Sequence, residues 1–520
     1  MNKLRFAPLG LVFGVSLSIF SAQAANTESS IRIAYFGQDI PAADSIYPSF
    51  DPDSYAVVTQ IFDSLIHADL DGNLVPGLAT SWKRRTSTEW VFTLRKGVKF
   101  HNGEAFDADA VKFTFDYILN PDNKAGNAWI FSTIKEVKTD PSNPFEVTFK
   151  TSVPDGMFLN RFIMFGSICP PKYIQEKGID AFHNHPVGTG PFKFEKWEKS
   201  KEISLIANKD YWQPGIPRLD RVRFLIIPEN KWVTSLEKDE VDFVPNLAGN
   251  LTRKLVANGK ANVRIIKRLV LAGYWVLLKN SGPLADLKVR KALNHAIDKE
   301  SLVKFADFGN AKPLASLGKS GEFGANDTLQ PYAYDPEKAK ALLAQAGYKN
   351  GLSLNVLAAD TAGSVANILK TNLSAIGVTV NLEIVPRSEV IQRVVVHKIL
   401  SKTLANYDLV IVLVDNPIYN LAFHAGLFLA SQSPWSLLNY PEFDARFKEA
   451  IETVDEKQHK KRLEELDRYI HENALMLFTT QKIITAAVKR NFSIDKFDVD
   501  GHLDYEILTH AFVKPTHGHD

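Results

Sequence analysis

Tyr407-Asp408-Leu409-Val410-Ile411-Val412-Leu413-Val414, closed by Asp415, is a nearly continuous apolar run of strand length. A strand apolar on both sides belongs inside a sheet that is covered on both faces. Such sheets alternate strands with amphipathic helices. The upstream neighbours fit: 352–357 and 378–385 read as strands, and 364–376 and 388–399 as helices. Asp335-Pro336-Glu337 opens another helix, with Asp335 as N-cap and Pro336 at the first helical position, and Gly347 ends it. Val289, Ala292, Leu293, Ala296 and Ile297 form the buried stripe of a helix over 289–305, followed by a Gly-rich connector over 309–324. Residues 443–472 read as one long helix. This α/β unit is expected to begin near Tyr274.

The first half of the chain repeats the alternation. Residues 31–36, 90–94 and 145–150 read as strands, 56–67 and 107–119 as helices, and Arg95-Lys96-Gly97-Val98 as a turn. No internal repeat, low-complexity tract or long linker is visible, and His517-Gly518-His519-Asp520 reads as a mobile tail.

The start of the chain has the pattern of a removable leader. Lys3 and Arg5 precede a mainly apolar stretch over 6–20, and Ala22-Gln23-Ala24 supplies the small-x-small cleavage pattern. The stretch is shorter than the ~20 apolar residues of a spanning helix. Residues 1–24 are therefore expected to be cleaved, leaving a soluble protein in a Gram-negative periplasm. Without the two basic residues of the leader, Lys and Arg balance Asp and Glu. That balance argues against nucleic acid, which demands a basic face. Cys169 is the single cysteine, so no internal disulfide forms; it lies in Ile168-Cys169-Pro170-Pro171 and reads as buried rather than nucleophilic.

Catalytic signatures are fragmentary. Gly318-Lys319-Ser320 has a phosphate-loop ending, but the leading glycine falls on Pro313. There is no G-x-S-x-G, and the His471-Glu472 start of a zincin pattern meets Leu475 where the second histidine belongs. His183-Asn184-His185 reads as a solvated turn, and His510, His517 and His519 sit on a tail that preorganises nothing. Neither catalytic residues, nor a metal site, nor a cofactor is expected.

Eight stretches occur in a telling order: Leu74-Val75-Pro76-Gly77-Leu78-Ala79-Thr80-Ser81-Trp82, Leu94-Arg95-Lys96-Gly97-Val98-Lys99-Phe100-His101-Asn102-Gly103, Ala108-Asp109-Ala110-Val111-Lys112-Phe113, Gly188-Thr189-Gly190-Pro191-Phe192, Asn208-Lys209-Asp210-Tyr211-Trp212, Pro217-Arg218-Leu219-Asp220-Arg221-Val222, Val289-Arg290-Lys291-Ala292-Leu293-Asn294-His295-Ala296-Ile297-Asp298, and Tyr334-Asp335-Pro336-Glu337-Lys338-Ala339. In this order the chain resembles the family 5 extracellular solute-binding proteins of ABC importers, the peptide/nickel/opine-binding group. The resemblance implies a type II periplasmic-binding-protein fold: two α/β lobes around a cleft, with an extra inserted domain. Lobe I would comprise 25–60, 188–275 and 485–520, the inserted domain 61–187, and lobe II 276–484. The chain would cross between lobes near 270–279 and 481–488, and the lobes would close over ligand by hinge motion. The implied protein is a monomer that catalyses nothing. It captures a small solute, foremost a peptide, and delivers it to the inner-membrane permease of an ABC transporter. A nickel chelate, opine, sugar or glutathione is the alternative ligand, and a periplasmic hydrolase the remote alternative function.

Asp415 stands beyond the carboxyl end of the apolar strand, where ligands of α/β sheets gather. In peptide-binding relatives an aspartate of this loop pairs with the ligand's ammonium group; the alternative is a loop-start or capping aspartate. Arg393, on the 388–399 helix, lies near where those relatives hold the peptide carboxylate; the alternative is a solvated helix arginine. Tyr47, Trp275, Tyr419 and Trp435 are the aromatics expected near the cleft, to stack on ligand or to pack in the core.

Overall fold

The computed structural model describes residues 29–36, 39–44, 46, 54–69, 72–259, 262–493 and 512–513. The expected leader, Tyr47 and the tail histidines lie outside them.

The apolar run becomes the strand Leu409–Asp415, flanked on both sides. It pairs in parallel with Leu352–Ala359, which in turn pairs in parallel with the edge strand Val378–Val385. On its other side it runs antiparallel to Val263–Leu278, from Leu278 opposite Leu409 to Ala272 opposite Asp415. Leu409, Val410, Ile411 and Val412 are all buried, so both faces of the strand are covered, as its lack of alternation requires. The helix Gly363–Ser374 packs on the edge strand through Val365, Ala366, Leu369 and Leu373, an i, i+4 stripe.

Val263–Leu278 is the longest strand of the large sheet among the described residues. This strand of 16 residues spans about 50 Å. Its first part, 263–269, pairs antiparallel with Thr480–Lys489, and its last, 272–278, with Leu409–Asp415. The exchange of partners coincides with a register shift between Leu269 and Gly273. Gly273 is needed there: a Cβ would sit 3.0 Å from the Thr480 carbonyl oxygen. From Thr480–Lys489 the sheet continues through Phe243–Val244, Ser30–Phe36, Arg221–Ile226, Glu202–Ala207 and Phe192–Glu198, completing a 12-stranded sheet with two short strands off the main path. The strand contains Tyr274, near which the second α/β unit is expected to begin, and itself starts eleven residues earlier. Arg264, Lys267 and Arg268 interrupt its first half, where side chains are only half-buried, and hide its apolar signal.

Residues 79–151 hold a separate antiparallel sheet of four strands, in the order Ala79–Thr86, Glu89–Leu94, Asn143–Thr151, Ile134–Asp140. Its helix Ala108–Leu119 starts on Asp107, whose carboxylate accepts the Asp109 and Ala110 amides at 3.0 and 3.2 Å. Between sheet and helix lies a cluster of buried phenylalanines: Phe92, Phe115, Phe131, Phe149, Phe158 and Phe162.

Three local expectations are corrected. The helix expected over 56–67 ends at Ile61, because Asp63 turns inward. The Asp63 carboxylate accepts from Thr189 Oγ1 at 3.0 Å, Tyr211 Oη at 2.8 Å and Trp212 Nε1 at 3.0 Å, and the chain then forms the strand Ile66–Ala68. The long helix of 443–472 is two, Pro441–Ile451 and Glu456–Glu472, the second capped by Asp455. His183 is not in a loop; it closes the helix Ile179–Asn184 and bonds Asp44 Oδ2 through Nδ1 at 3.0 Å. Gly188 and Gly190 prove to be close-approach positions, since a Cβ on either would lie within 2.6 Å of the Ile61 backbone.

Candidate ligand-binding site

Asp415 ends its strand half-buried, and the next five residues form a tightly tied loop. Asn416 donates its amide to the Leu271 carbonyl at 3.0 Å, which fastens the loop to the long strand at the exchange point. Asn416 Nδ2 donates to the Asn420 carbonyl at 2.8 Å. Asn420 then caps the helix Leu421–Phe428 by accepting the Ala422 amide at 3.0 Å. Alongside runs Phe323, whose amide donates to Tyr419 O and whose carbonyl accepts from the Leu421 amide, both at 3.0 Å.

Beneath the loop is a polar group with no water access. Lys319 and Glu322 are fully buried and paired at 2.9 and 3.0 Å. Glu322 also accepts from Asn416 Nδ2. Lys319 Nζ lies 3.2 Å from His424 Nδ1 and 4.7 Å above the Trp275 ring. His424 Nε2 is 2.8 Å from the Asp415 carbonyl oxygen. A carbonyl only accepts, so the proton sits on Nε2 and Nδ1 receives the ammonium hydrogen. Burial, reinforced by Lys319, pushes the His424 pKa well below its ordinary value and keeps the ring neutral.

The 72–165 segment meets this loop from the opposite side. Asn160 Nδ2 donates to Ile418 O at 3.0 Å. Trp129, 47% exposed, stacks on Phe423 with centroids 6.2 Å apart and planes 28° apart. Ile163 packs on a small cluster of Ala68, Leu271 and Tyr419. Nearby, Lys482 Nζ donates to Tyr274 Oη at 3.0 Å and Asp307 Oδ1 at 3.3 Å, and Thr480 Oγ1 donates to Asp307 Oδ2 at 3.0 Å.

The expected site residues separate. Asp415 and Tyr419 share the strand-end loop, but Tyr419 is only 5% exposed, with its ring against Gly72. Trp275 faces inward at 2% exposure; its Nε1 donates to Val414 O at 3.1 Å and its ring covers Lys319, so it supports the loop from below. Trp435 is half-buried with its ring edge on Phe428, 6.4 Å away. Arg393 is not brought to Asp415. It donates to Tyr407 Oη at 3.0 Å, just before the start of the strand that Asp415 ends, and Leu409–Asp415 alone rises about 20 Å. Its guanidinium is engaged by Tyr407, by Glu383 at 2.6 Å and by Glu389, which together raise its pKa. It lines a separate groove of about 1030 Å³ with Asn355, Asn381, Gln392, His397 and Asn406. The residues overlooked in the sequence are Trp129, Lys319, Glu322, Asn416 and His424. Only Lys319 and Glu322 carried a signal, an opposite-charge pair three apart inside an otherwise Gly-rich connector.

Buried histidines make stability pH-dependent. Burial lowers the pKa values of His424, His67, His459, His295 and His101, the last to about 4. Unfolding frees each to take a proton near pH 6.5, so the unfolded state binds more protons and acid favours it. From these histidines, stability is expected to fall from about pH 6.5 downwards. A ring that stays neutral in the fold at pH 5 forfeits up to about 2 kcal/mol. Urea titrations at pH 8, 6 and 5 check this; equal midpoints would contradict it.

Among the described residues no group of three or more His, Cys, Asp or Glu is placed to hold a metal ion, and no helix is long and apolar enough to cross a membrane. The sequence profile of the bacterial extracellular solute-binding proteins, family 5 (middle region), matches residues 73–412. The glutathione-binding protein GsiB of Salmonella paratyphi A is 31% identical over 386 residues, 72% of either chain. The nickel-binding periplasmic protein of Escherichia coli is 28% identical over 358 residues, 64% of this chain and 67% of that one. The periplasmic binding protein DppA of Helicobacter pylori, solved with the peptide STSA, has a TM-score of 0.77 at 24% identity, over 94% of this chain and 99% of its own. CtaP of Listeria monocytogenes, an ABC-transporter substrate-binding protein, reaches a TM-score of 0.80 at 22% identity, with the same coverage. The likeness to the solved structures carries the two-lobe α/β fold; the profile and the 31% relative carry the lineage. The chain belongs to family 5 of the bacterial extracellular solute-binding proteins.

Proposed function

We propose that this solute-binding protein captures a short peptide, glutathione included, with the ligand's ammonium group against Asp415. The observation that carries the reading is the placement of Asp415: at the carboxyl end of the central strand, beside the point where Val263–Leu278 exchanges partners, in a loop contacted by the 72–165 segment. The Trp129–Phe423 pair offers a ring face for an apolar ligand side chain. Closure by rotation about the crossing strands would bury the ligand between the lobes, and the closed form would dock on the permease of an ABC importer.

The remaining parts of the reading are a cleavable leader over 1–24, a periplasmic monomer without affinity for nucleic acid, and capture without turnover. So is the division into lobe I (25–60, 188–275, 485–520), inserted domain (61–187) and lobe II (276–484). The four-stranded sheet that lies wholly within 61–187, and the exchange of partners at 269–273, support that division.

The test is native mass spectrometry of protein purified without refolding, followed by calorimetry with reduced glutathione, the tetrapeptide Ser-Thr-Ser-Ala and nickel–histidine. Binding of either peptide, with the ligand recovered unaltered, is expected. Binding of nickel–histidine alone would replace peptide by chelate, and a hydrolysed peptide would mark an enzyme. Asp415→Ala is expected to weaken peptide binding about 30-fold, ~2 kcal/mol, the worth of a charge-assisted hydrogen bond. Unchanged affinity in that variant would remove Asp415 from the site.

A further inference from the structure

Segment 318–323 touches the loop after Asp415 and the helix that follows it, and never reaches solvent at its two charges. Lys319 holds His424, which holds the Asp415 carbonyl; Glu322 holds Asn416, which holds Asn420. The Phe323 backbone clasps Tyr419 and Leu421. At its other flank Ser320 exchanges two hydrogen bonds of 3.1 Å with the Gln481 side chain, and Gln481 Nε2 also donates to Val270 O at 3.0 Å. Gln481, 2% exposed, pairs with Gly273 where the two crossing strands meet. A buried ion pair is a poor stabiliser, because desolvating both charges offsets their attraction. Here each charge is spent on one neighbour of the strand-end loop, so the pair defines a conformation.

We propose that Lys319 and Glu322 are positioning residues for ligand capture: their ion pair sets the conformation of the Asp415-bearing loop and, through Gln481, fixes it to the strands that cross between the lobes. The ligand-dependent part rests on the reading of Asp415 above. Loop and crossing then move as one piece, so a ligand seated on the loop also bears on the crossing.

The double variant Lys319→Met/Glu322→Leu removes both charges at similar volume, leaving neither one unpaired. Hydrogen exchange is measured first, on the full chain without ligand. The variant is expected to melt within a few degrees of the parent. Its Phe323, Asn416, Tyr419 and Leu421 amides should exchange at least tenfold faster, together with those of 270–273, while Ile411 and Leu357 keep parental protection. Uniformly faster exchange would mean general destabilisation and overturn the proposal, as would unchanged loop exchange. Calorimetry with reduced glutathione and Ser-Thr-Ser-Ala follows. An affinity at least tenfold weaker is expected, and a mobile loop with parental affinity would overturn the coupling to capture. If the parent binds neither peptide, the peptide reading falls, and the positioning role is decided by the exchange data alone.

Discussion

Replacing Lys319 alone by methionine is expected to remove about 3–5 kcal/mol of folding stability, the cost of leaving one partner of a buried ion pair uncompensated. Methionine fills nearly the same space, so packing around Trp275 survives. The loss is electrostatic: Glu322, fully buried, would keep the Asn416 side-chain amide and the backbone amide of residue 319 against its carboxylate, but no counter-charge. Urea titrations of parent and Lys319→Met at pH 8 check this. A gap below about 1 kcal/mol would mean that Glu322 finds another partner or water.

Phe162→Ala is expected to cost about 3–5 kcal/mol, by lost transfer energy and an aromatic-sized void. Its ring is fully buried and lies 5.2 to 5.6 Å from Phe158, Phe149, Phe92, Phe115 and Phe131. Five neighbouring rings cannot all collapse into the space, because they are held from separate strands, helices and a turn. The loss should appear in the four-stranded part first, as faster amide exchange at Val91 and Val147 than at Ile411. Uniform loss across both sheets, or a cost under 1 kcal/mol, would contradict a core local to that sheet.

Much of the fold was legible because apolar period and caps are local signals. The strand at 407–414 was found within two residues, and Asp335 and Asp107 cap helices by accepting the Lys338 and the Asp109 and Ala110 amides. The beginning of Val263–Leu278 was not legible, since its first half is half-buried and carries three basic residues. The end of the helix at Ile61 depends on Asp63 reaching Thr189, Tyr211 and Trp212, partners more than 120 residues away. The site was less legible still. Asp415 was placed at a strand end by the sequence, which needs only the strand, and the structure puts it there. Arg393 was chosen by its place along the chain, and the sheet carries it to the far end of the same strand. Trp275 looked like a cleft aromatic because the sequence cannot say which side of a strand faces a buried lysine. Lys319 was read only within a failed phosphate-loop match, and its burial against Glu322 was not anticipated, because lysine and glutamate are ordinarily solvated.

The partner exchange at 269–273 also governs what kind of machine this chain can be. Two antiparallel strands held by a ladder of backbone hydrogen bonds leave no slack of the kind a loose linker has. Under the proposed division into lobes, relative motion would therefore have to deform this ladder where the partners change. A side chain at position 273 would press on Thr480 O at that point. The proposed joint would then trade range for repeatability, returning the same two surfaces to the same register.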